Sequence, residues 1–256
     1  MGKIKFIHNY EDIISMDNLL EAWKEFVCGK RHKKDVKVFQ INLFDNIYKL
    51  HLELKNRKYK HGPYYYFKIT DPKPRDIHKA TVKDRLLHYA IYRKLYLYFD
   101  HIFIPDSYSC RLNKGTHKAL SRFKKYSLKE SKNYTKQCWI LKCDVTKFFA
   151  SIDHLILIKI LNKHITDKNI IWLLENVINS FYSNEKDKGL PLGNLTSQLF
   201  ANIYMNEFDQ FIKHKLRVKY YIRYADDFVI MCNGKEILEG LISQIQSFLM
   251  KNLNLQ

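Results

Sequence analysis

The stretch KYYIRYADDFVIMC, residues 219–232, sets two adjacent aspartates between two runs of aromatic and β-branched residues. The flanking runs read as the strands of a buried hairpin, with Asp226 and Asp227 at its turn. A chain that keeps such a pair together either leaves it in solvent, as an ordinary Asp-containing turn does, or neutralises it. Earlier, in CWILKCD, the alternation of a strand points Trp139, Leu141 and Cys143 one way and Ile140, Lys142 and Asp144 the other. If that strand lies beside the hairpin, three carboxylates meet at one edge of a small sheet. Like charges that close repel unless cations sit between them, and an oxygen-only donor set suits Mg²⁺. A pair of such ions about 3.5–4 Å apart is the standard device for in-line phosphoryl displacement.

The rest of the chain alternates helical and extended patterns. Residues 11–30 and 40–56 have amphipathic helical spacing, and YYYFKITDPKPRDIHKA reads as two strands around a turn at Asp71 to Pro74. Leu87, Ile91, Leu95 and Tyr98 predict a helix from Lys83 to about Phe103, and another starts near Thr116. SLKESKNYTKQ reads as a polar connection, 154–163 and 168–182 as helices, and SQLFANIYMNEFDQFIKHKL as a helix with Phe200, Tyr204, Phe208 and Phe211 along one side. A last helix runs through LISQIQSFLM. The order is α+β around an antiparallel hairpin.

Charge is unevenly spread. Residues 51–150 hold 23 Lys and Arg against 8 Asp and Glu, so this segment supplies +15 of the formal net charge of +18. Such a field suits a groove that tracks a polyphosphate backbone; a generally lysine-rich proteome is the plainer account. No apolar run approaches the roughly 20 residues that span a bilayer, and the basic start MGKIKFIHNY has no apolar signal core, so the expectation is a cytoplasmic protein without a membrane partner. The five cysteines, Cys28, Cys110, Cys138, Cys143 and Cys232, have no CxxC spacing and read as buried or half-buried thiols.

Five stretches, spanning about residues 60–232, resemble in order the motifs of bacterial reverse transcriptases: KPRDIHKATVKDRLLHYAI, DSYSCRLNKGTHKAL, CDVTKFFASID, GLPLGNLTSQLFANIY and the Tyr-Ala-Asp-Asp hairpin. The resemblance implies an RNA-directed DNA polymerase that makes cDNA by two-metal-ion nucleotidyl transfer. Its fold would be α+β, the fingers and palm of a right-hand polymerase, with an antiparallel palm sheet packed on helices and no thumb. Residues 1–85 would form N-terminal helices and fingers, 86–160 the first palm segment, 161–192 a fingers insertion and 193–256 the second palm segment. Two Mg²⁺ ions, or Mn²⁺ in their place, would be held by Asp144 and Asp226, with the Val145 carbonyl and Asp227 beside them.

The same resemblance makes Phe149 the steric gate against a 2′-hydroxyl, although Phe148 is adjacent and either ring could be core. Arg75 and Lys73 would clamp the triphosphate. Gly193 would allow close backbone approach, or serve only as a loop glycine, and Gln198 would lie near the template base. Arg111, Lys114, His117, Lys118 and Tyr224 would meet the RNA template and the DNA or RNA primer, with dNTPs as the other substrates. The loop Leu192-Gly193-Asn194-Leu195-Thr196-Ser197-Gln198 resembles enzymes of diversity-generating retroelements. Phage-defence and group II intron maturase-like enzymes share parts of the pattern.

Only 29 residues follow Asp227, too few for the family's pyrophosphate-protonating lysine, primer-grip hairpin and helical thumb. The expectation is a truncated product, with an accessory protein or a separate thumb-bearing chain as the alternative. RNA-dependent RNA synthesis would share the palm, but a bulky Phe149 opposes rNTP use. A non-catalytic RNA-binding scaffold would need the basic segment and not the acidic cluster.

Overall fold

The computed structural model describes residues 5–70 and 73–256. Asn9 and Asp12 form a reciprocal cap on α1 (Tyr10–Ile14), and the Ser15 hydroxyl accepts from Asn18 N to start α2 (Met16–Val27). The single helix expected over 11–30 is therefore split at Ser15, whose side chain offers the backbone an alternative to the helical ladder. Next come α3 (Lys34–Ile41) and α4 (Leu43–Lys55). The first of these escaped the sequence reading because Val36 is its one fully buried residue, which leaves no apolar period to detect. β1 (Tyr65–Ile69) and β2 (Arg75–Lys79) pair antiparallel, with Ile69 opposite Arg75. The expected turn between them begins at Asp71 and Pro72, which lie outside the described residues.

Thr81 caps α5 (Val82–Ile102), whose Leu86, Leu87, Ala90, Ile91, Leu95 and Phe99 are buried. α6 (Thr116–Glu130) runs through Ser127–Glu130, which had read as a connection. It buries no residue fully, but Ala119, Phe123 and Tyr126 rest on Tyr220, Ile222 and Met231. β3 (Trp139–Cys143) is followed by the short α7 (Phe148–Ser151), then α8 (His154–His164) and α9 (Lys168–Ile178), capped by Asp153 and Asp167. α10 (Leu195–Gln210) passes into a π-helical turn, Phe211–Lys215. β4 (Tyr220–Tyr224), β5 (Asp227–Cys232) and α11 (Lys235–Leu253) complete the chain.

The central sheet has the order β3-β5-β4 and is antiparallel throughout. The register places Cys143 opposite Phe228 and Phe228 opposite Arg223, so Leu141, Phe228, Ile230 and Tyr221 share one face, as the expected alternation requires. That face packs on the main core with Phe200, Tyr204 and Phe208 of α10 and Leu249 of α11; each large buried side chain contributes about 1.5–3 kcal/mol relative to exposure. α6 covers the other face at β4, while Ile140 and Lys142 of β3 stay exposed. One core runs from Tyr10 and Ile13 through Phe99, Leu161 and Ile170 to Leu253, drawing on all four expected segments. Among the described residues no helix is long and apolar enough to cross a membrane. All five cysteines are free; Cys138, Cys143 and Cys232 are half-buried, but Cys28 and Cys110 are exposed, contrary to expectation.

Candidate active site

β3 ends at Cys143, so the next residue, Asp144, emerges from the sheet beside the start of β5. The hairpin turn is Ala225–Asp226, not Asp226–Asp227: Asp227 already pairs with Tyr224 as the first residue of β5. Ala225 takes φ 57°, as a two-residue hairpin demands at its first central position. Ligand oxygens of Asp144, Asp226 and Asp227 all come within 4.8 Å of one another. Burial raises the carboxyl pKa of Asp226, and the charges of Asp144 and Asp227 push it further up. Among the described residues the salt bridge to this group is from the Lys142 ammonium, 4.0 Å from Asp227 and well exposed, and the Arg223 charge offsets the rise at Asp226 only in part. Three convergent carboxylates of this kind fit a small, hard divalent cation. Val145 follows Asp144 with its side chain in the core.

The turn opens onto a cleft of about 1050 Å³. Arg75, Phe149, Gly193, Gln198, Tyr224, Asp226 and Asp227 line it, although Arg75 is separated from Tyr224 by most of the chain. Phe148 is the core ring at 2% exposure, and Phe149 stands against it edge to face, half-buried on the cleft wall. Gly193 is required by its backbone: φ is +100°, and a Cβ there would meet Ile77 Cγ2 at 3.0 Å. Lys73 is exposed and does not line the cleft.

Four other expected residues gather around the start of α6. Lys114 and Lys118, with Arg122 and Lys125, line a second hollow of about 380 Å³. Burial and then the Arg111 charge lower the Lys114 pKa, and its ammonium donates to the Pro105 carbonyl at 2.7 Å. Lys118 donates to the Asn113 carbonyl at 2.7 Å, and His117 is exposed. The Arg111 side chain is 5% exposed, and its guanidinium binds Asp100 and the Ile104 and Ser107 carbonyls, which ties it to the end of α5. Tyr224 lines the main cleft, and its hydroxyl accepts from Thr116 Oγ1, at the start of α6, at 3.2 Å.

Two residues of the cleft were missed. Lys147 lines it from the left-handed position before α7, φ 46°, which no sequence pattern marks. Asn194 donates to the His78 carbonyl at 2.8 Å and accepts from Ala80 N at 3.4 Å, tying β2 to the start of α10. An Asn before a helix reads as a cap, yet this one makes no capping bond.

Residues 67–256 match the family described as "Reverse transcriptase (RNA-dependent DNA polymerase)". The chain is 27% identical over 184 residues to the group II intron-encoded protein LtrA of Lactococcus lactis subsp. cremoris, which covers 69% of this chain and 29% of that protein. It is 24% identical over 228 residues to protein YkfC of Escherichia coli K12, 75% of this chain and 59% of the relative. It is 28% identical over 138 residues to the putative COX1/OXI3 intron 2 protein of Saccharomyces cerevisiae, 51% of this chain and 14% of that one. A chain in the solved structure "Partial Cas6-RT-Cas1--Cas2 complex" superposes over 94% of this chain and 42% of its own length, with TM-score 0.50 and 18% identity, a likeness of fold. The chain thus spans less than two thirds of the length of each of these relatives.

Proposed function

From the chain's membership of the reverse transcriptase family, we propose that it is an RNA-directed DNA polymerase, adding dNTPs to a DNA or RNA primer on an RNA template. The observation that carries this is the meeting of Asp144, Asp226 and Asp227 at a cleft also lined by Arg75 and Phe149. In the reaction the primer 3′-oxygen attacks the α-phosphorus of the dNTP, the bond to the bridging oxygen breaks, and pyrophosphate leaves. Two Mg²⁺ ions, or Mn²⁺, held by Asp144 and Asp226 with Asp227 and the Val145 carbonyl nearby, would activate the attacking oxygen and neutralise the leaving group.

The chain's own residues do the positioning. Arg75 on the cleft wall offers a cationic clamp to the triphosphate, and the exposed Lys73, outside the cleft, joins it as the arm closes. Phe149 occupies the space that a 2′-hydroxyl would need, and Gly193 lets the backbone approach the incoming nucleotide with Gln198 near the template base. Tyr224, Lys114, His117 and Lys118 meet the nucleic acid, and Arg111 is left out because its guanidinium is already engaged.

The finer reading is a retroelement enzyme of diversity-generating type, supported by the loop from Leu192 to Gln198. The intron-encoded relatives support a group II intron-like enzyme as the second reading. A thumb-bearing segment or chain and an accessory protein are partners of either one; the solved neighbour of like fold is a chain of a Cas6-RT-Cas1--Cas2 complex.

Primer extension on poly(rA)/oligo(dT) with Mg²⁺ and dTTP, wild type against Asp226→Asn, tests the activity. The substitution is expected to lower the addition rate about 10³-fold or more, since it removes a charge from the site where transition-state charge develops, without lowering the melting temperature. Extension that survives Asp226→Asn, or RNA binding without any extension by the wild type, would turn the reading to a scaffold.

A further inference from the structure

Beneath the acidic turn lies an arginine that the proposed reaction does not use. Arg223, on β4, is 1% exposed. A guanidinium carries five N–H donors in a fixed plane, and this one finds five acceptors. Nε and Nη2 donate to the two oxygens of Asp209 at 2.8 and 2.7 Å. Nη2 also donates to Ser107 Oγ at 3.2 Å, and Nη1 to Asn202 Oδ1 at 3.1 Å and to the Ala225 carbonyl at 2.8 Å. Asp209 accepts in addition from the Tyr221 hydroxyl at 2.7 Å. The backbone is tied as well: Arg223 N donates to the Asp106 carbonyl, and its own carbonyl accepts from Tyr108 N.

The bond to Ala225 reaches the site. Ala225 sits at φ 57°, a region where a Cβ crowds the following carbonyl and which favours Gly, Asn or Asp. Alanine has no polar side chain to hold that conformation for itself. The residue after it is Asp226.

We propose that Arg223 is a positioning residue for the acidic site: anchored on Asp209, Asn202 and Ser107, it holds the Ala225 carbonyl from below and fixes the turn that brings the Asp226 carboxylate to Asp144. This deepens the polymerase reading and rests on it for the role of Asp226. The guanidinium plane spans α10, the segment after α5 and the turn at once, which a single ammonium cannot do. Asn202 extends the same frame to the cleft floor by donating to the Ser109 carbonyl at 3.0 Å.

The test replaces the buried ion pair with apolar side chains of similar volume, Arg223→Met with Asp209→Leu, and Tyr221→Phe removes the hydroxyl that donates to Asp209, so that no buried charge is left unpaired. Two readouts apply: amide hydrogen exchange across residues 224–228, and Mn²⁺ affinity by electron paramagnetic resonance, with Asp226→Asn as the calibration of site occupancy. The expected result is turn exchange about tenfold faster with α10 unchanged, and Mn²⁺ binding about tenfold weaker, in the range of lost outer-sphere support. Exchange and affinity within twofold of wild type would overturn the proposal, whatever happens to the melting temperature. If the triple variant does not fold, Arg223→Lys, which keeps the charge facing Asp209, decides by the same readouts. Ser107→Ala, which removes one anchor and leaves both bonds to Asp209, is expected to give a smaller loss than the triple variant; an equal loss there would also overturn the assignment. A wild type that binds no Mn²⁺ and extends no primer defeats the polymerase reading, and turn exchange alone then decides the role of Arg223.

Discussion

In the β4–β5 hairpin Tyr220, Tyr221, Ile222 and Arg223 are all buried, a third strand covers one edge, and the turn is held from beneath. In the β1–β2 hairpin Tyr65, Tyr66, Ile69, Arg75 and Asp76 are exposed, and the two strands pair only with each other. An isolated two-stranded hairpin is marginal in water, so the second one depends on its root. There His78 N donates to the Leu192 carbonyl, Asn194 bonds both His78 and Ala80, and Phe181 meets the His78 ring edge to face. The difference separates two tasks. On the proposed polymerase reading, groups that share a cation must not shift against one another, whereas an arm that receives a triphosphate gains from closing over it.

If the arm depends on its root, acid should loosen it. Below the strands, Asp84 is fully buried and accepts from the Tyr59 hydroxyl at 2.8 Å and from Gly62 N at 3.1 Å. His88 lies beside it with Nε2 3.3 Å from His61 Nε2 and no partner for Nδ1. Burial, then the charges of His61 and Arg85, pushes the His88 pKa down from 6.5 to about 3. The unfolded chain therefore takes up a proton that the folded chain refuses. Relative stability is full above pH 6.5 and is lost as the pH falls towards 3, by at most about 1.4 kcal/mol per pH unit for this group. Unfolding free energies from urea titrations at pH 7.5 and pH 5 should differ by about 2 kcal/mol more in wild type than in His88→Gln. An equal pH slope in both would remove His88 from the root.

A smaller effect is expected at the tip. Arg75 begins β2, is exposed and lines the cleft, so Arg75→Ala should leave the melting temperature unchanged. Single-nucleotide addition should show KM for dTTP about tenfold higher with kcat little altered, the signature of lost ground-state binding. Arg75→Lys should recover only part of the loss, because one ammonium replaces a planar fork. A fall in kcat alone would mean that the tip takes part in the chemical step and that the two hairpins are less distinct than their burial suggests.

Much of this contrast was legible in the sequence, and the illegible parts share a cause. Alternation gave the strands of the central sheet, but that Asp144 lies beside the hairpin was a condition in the sequence, met by the pairing of β3 with β5. The split at Ser15 and the helix Lys34–Ile41 were missed because one depends on a hydroxyl bond and the other on little burial. At the site, Phe148 and Phe149 could not be told apart until the short α7 buried the first ring at 2% exposure and left the second half-buried, both bordering the cleft. Arg223 was hidden for a similar reason. Nothing in YYIRYADD names the partners of its arginine, and the distant Asp209, Asn202 and Ser107 that bury it come together only in the fold.

Arg111 and Lys125 give the smallest test, and it turns on the same distinction between a cation used by the fold and one left for a ligand. Both belong to the basic segment, and charge counting treats them alike. Arg111 is engaged with Asp100 and two carbonyls, so Arg111→Ala should lower stability. Lys125 lines the open hollow on α6 with Lys114 and Lys118, and among the described residues it makes no salt bridge; neighbouring Arg122 is drawn to Asp106 at 2.9 Å. If Lys125 meets a phosphate, Lys125→Ala should leave the melting temperature unchanged and make the slope of log K against log salt shallower by about 0.7–0.9, one contact's worth of counterion release. The measurement is a salt titration of primer–template binding by fluorescence anisotropy. Equal slopes for wild type and Lys125→Ala would place the nucleic-acid track away from α6, and a changed slope in a still-stable Arg111→Ala would show that the buried arginine shapes the track after all.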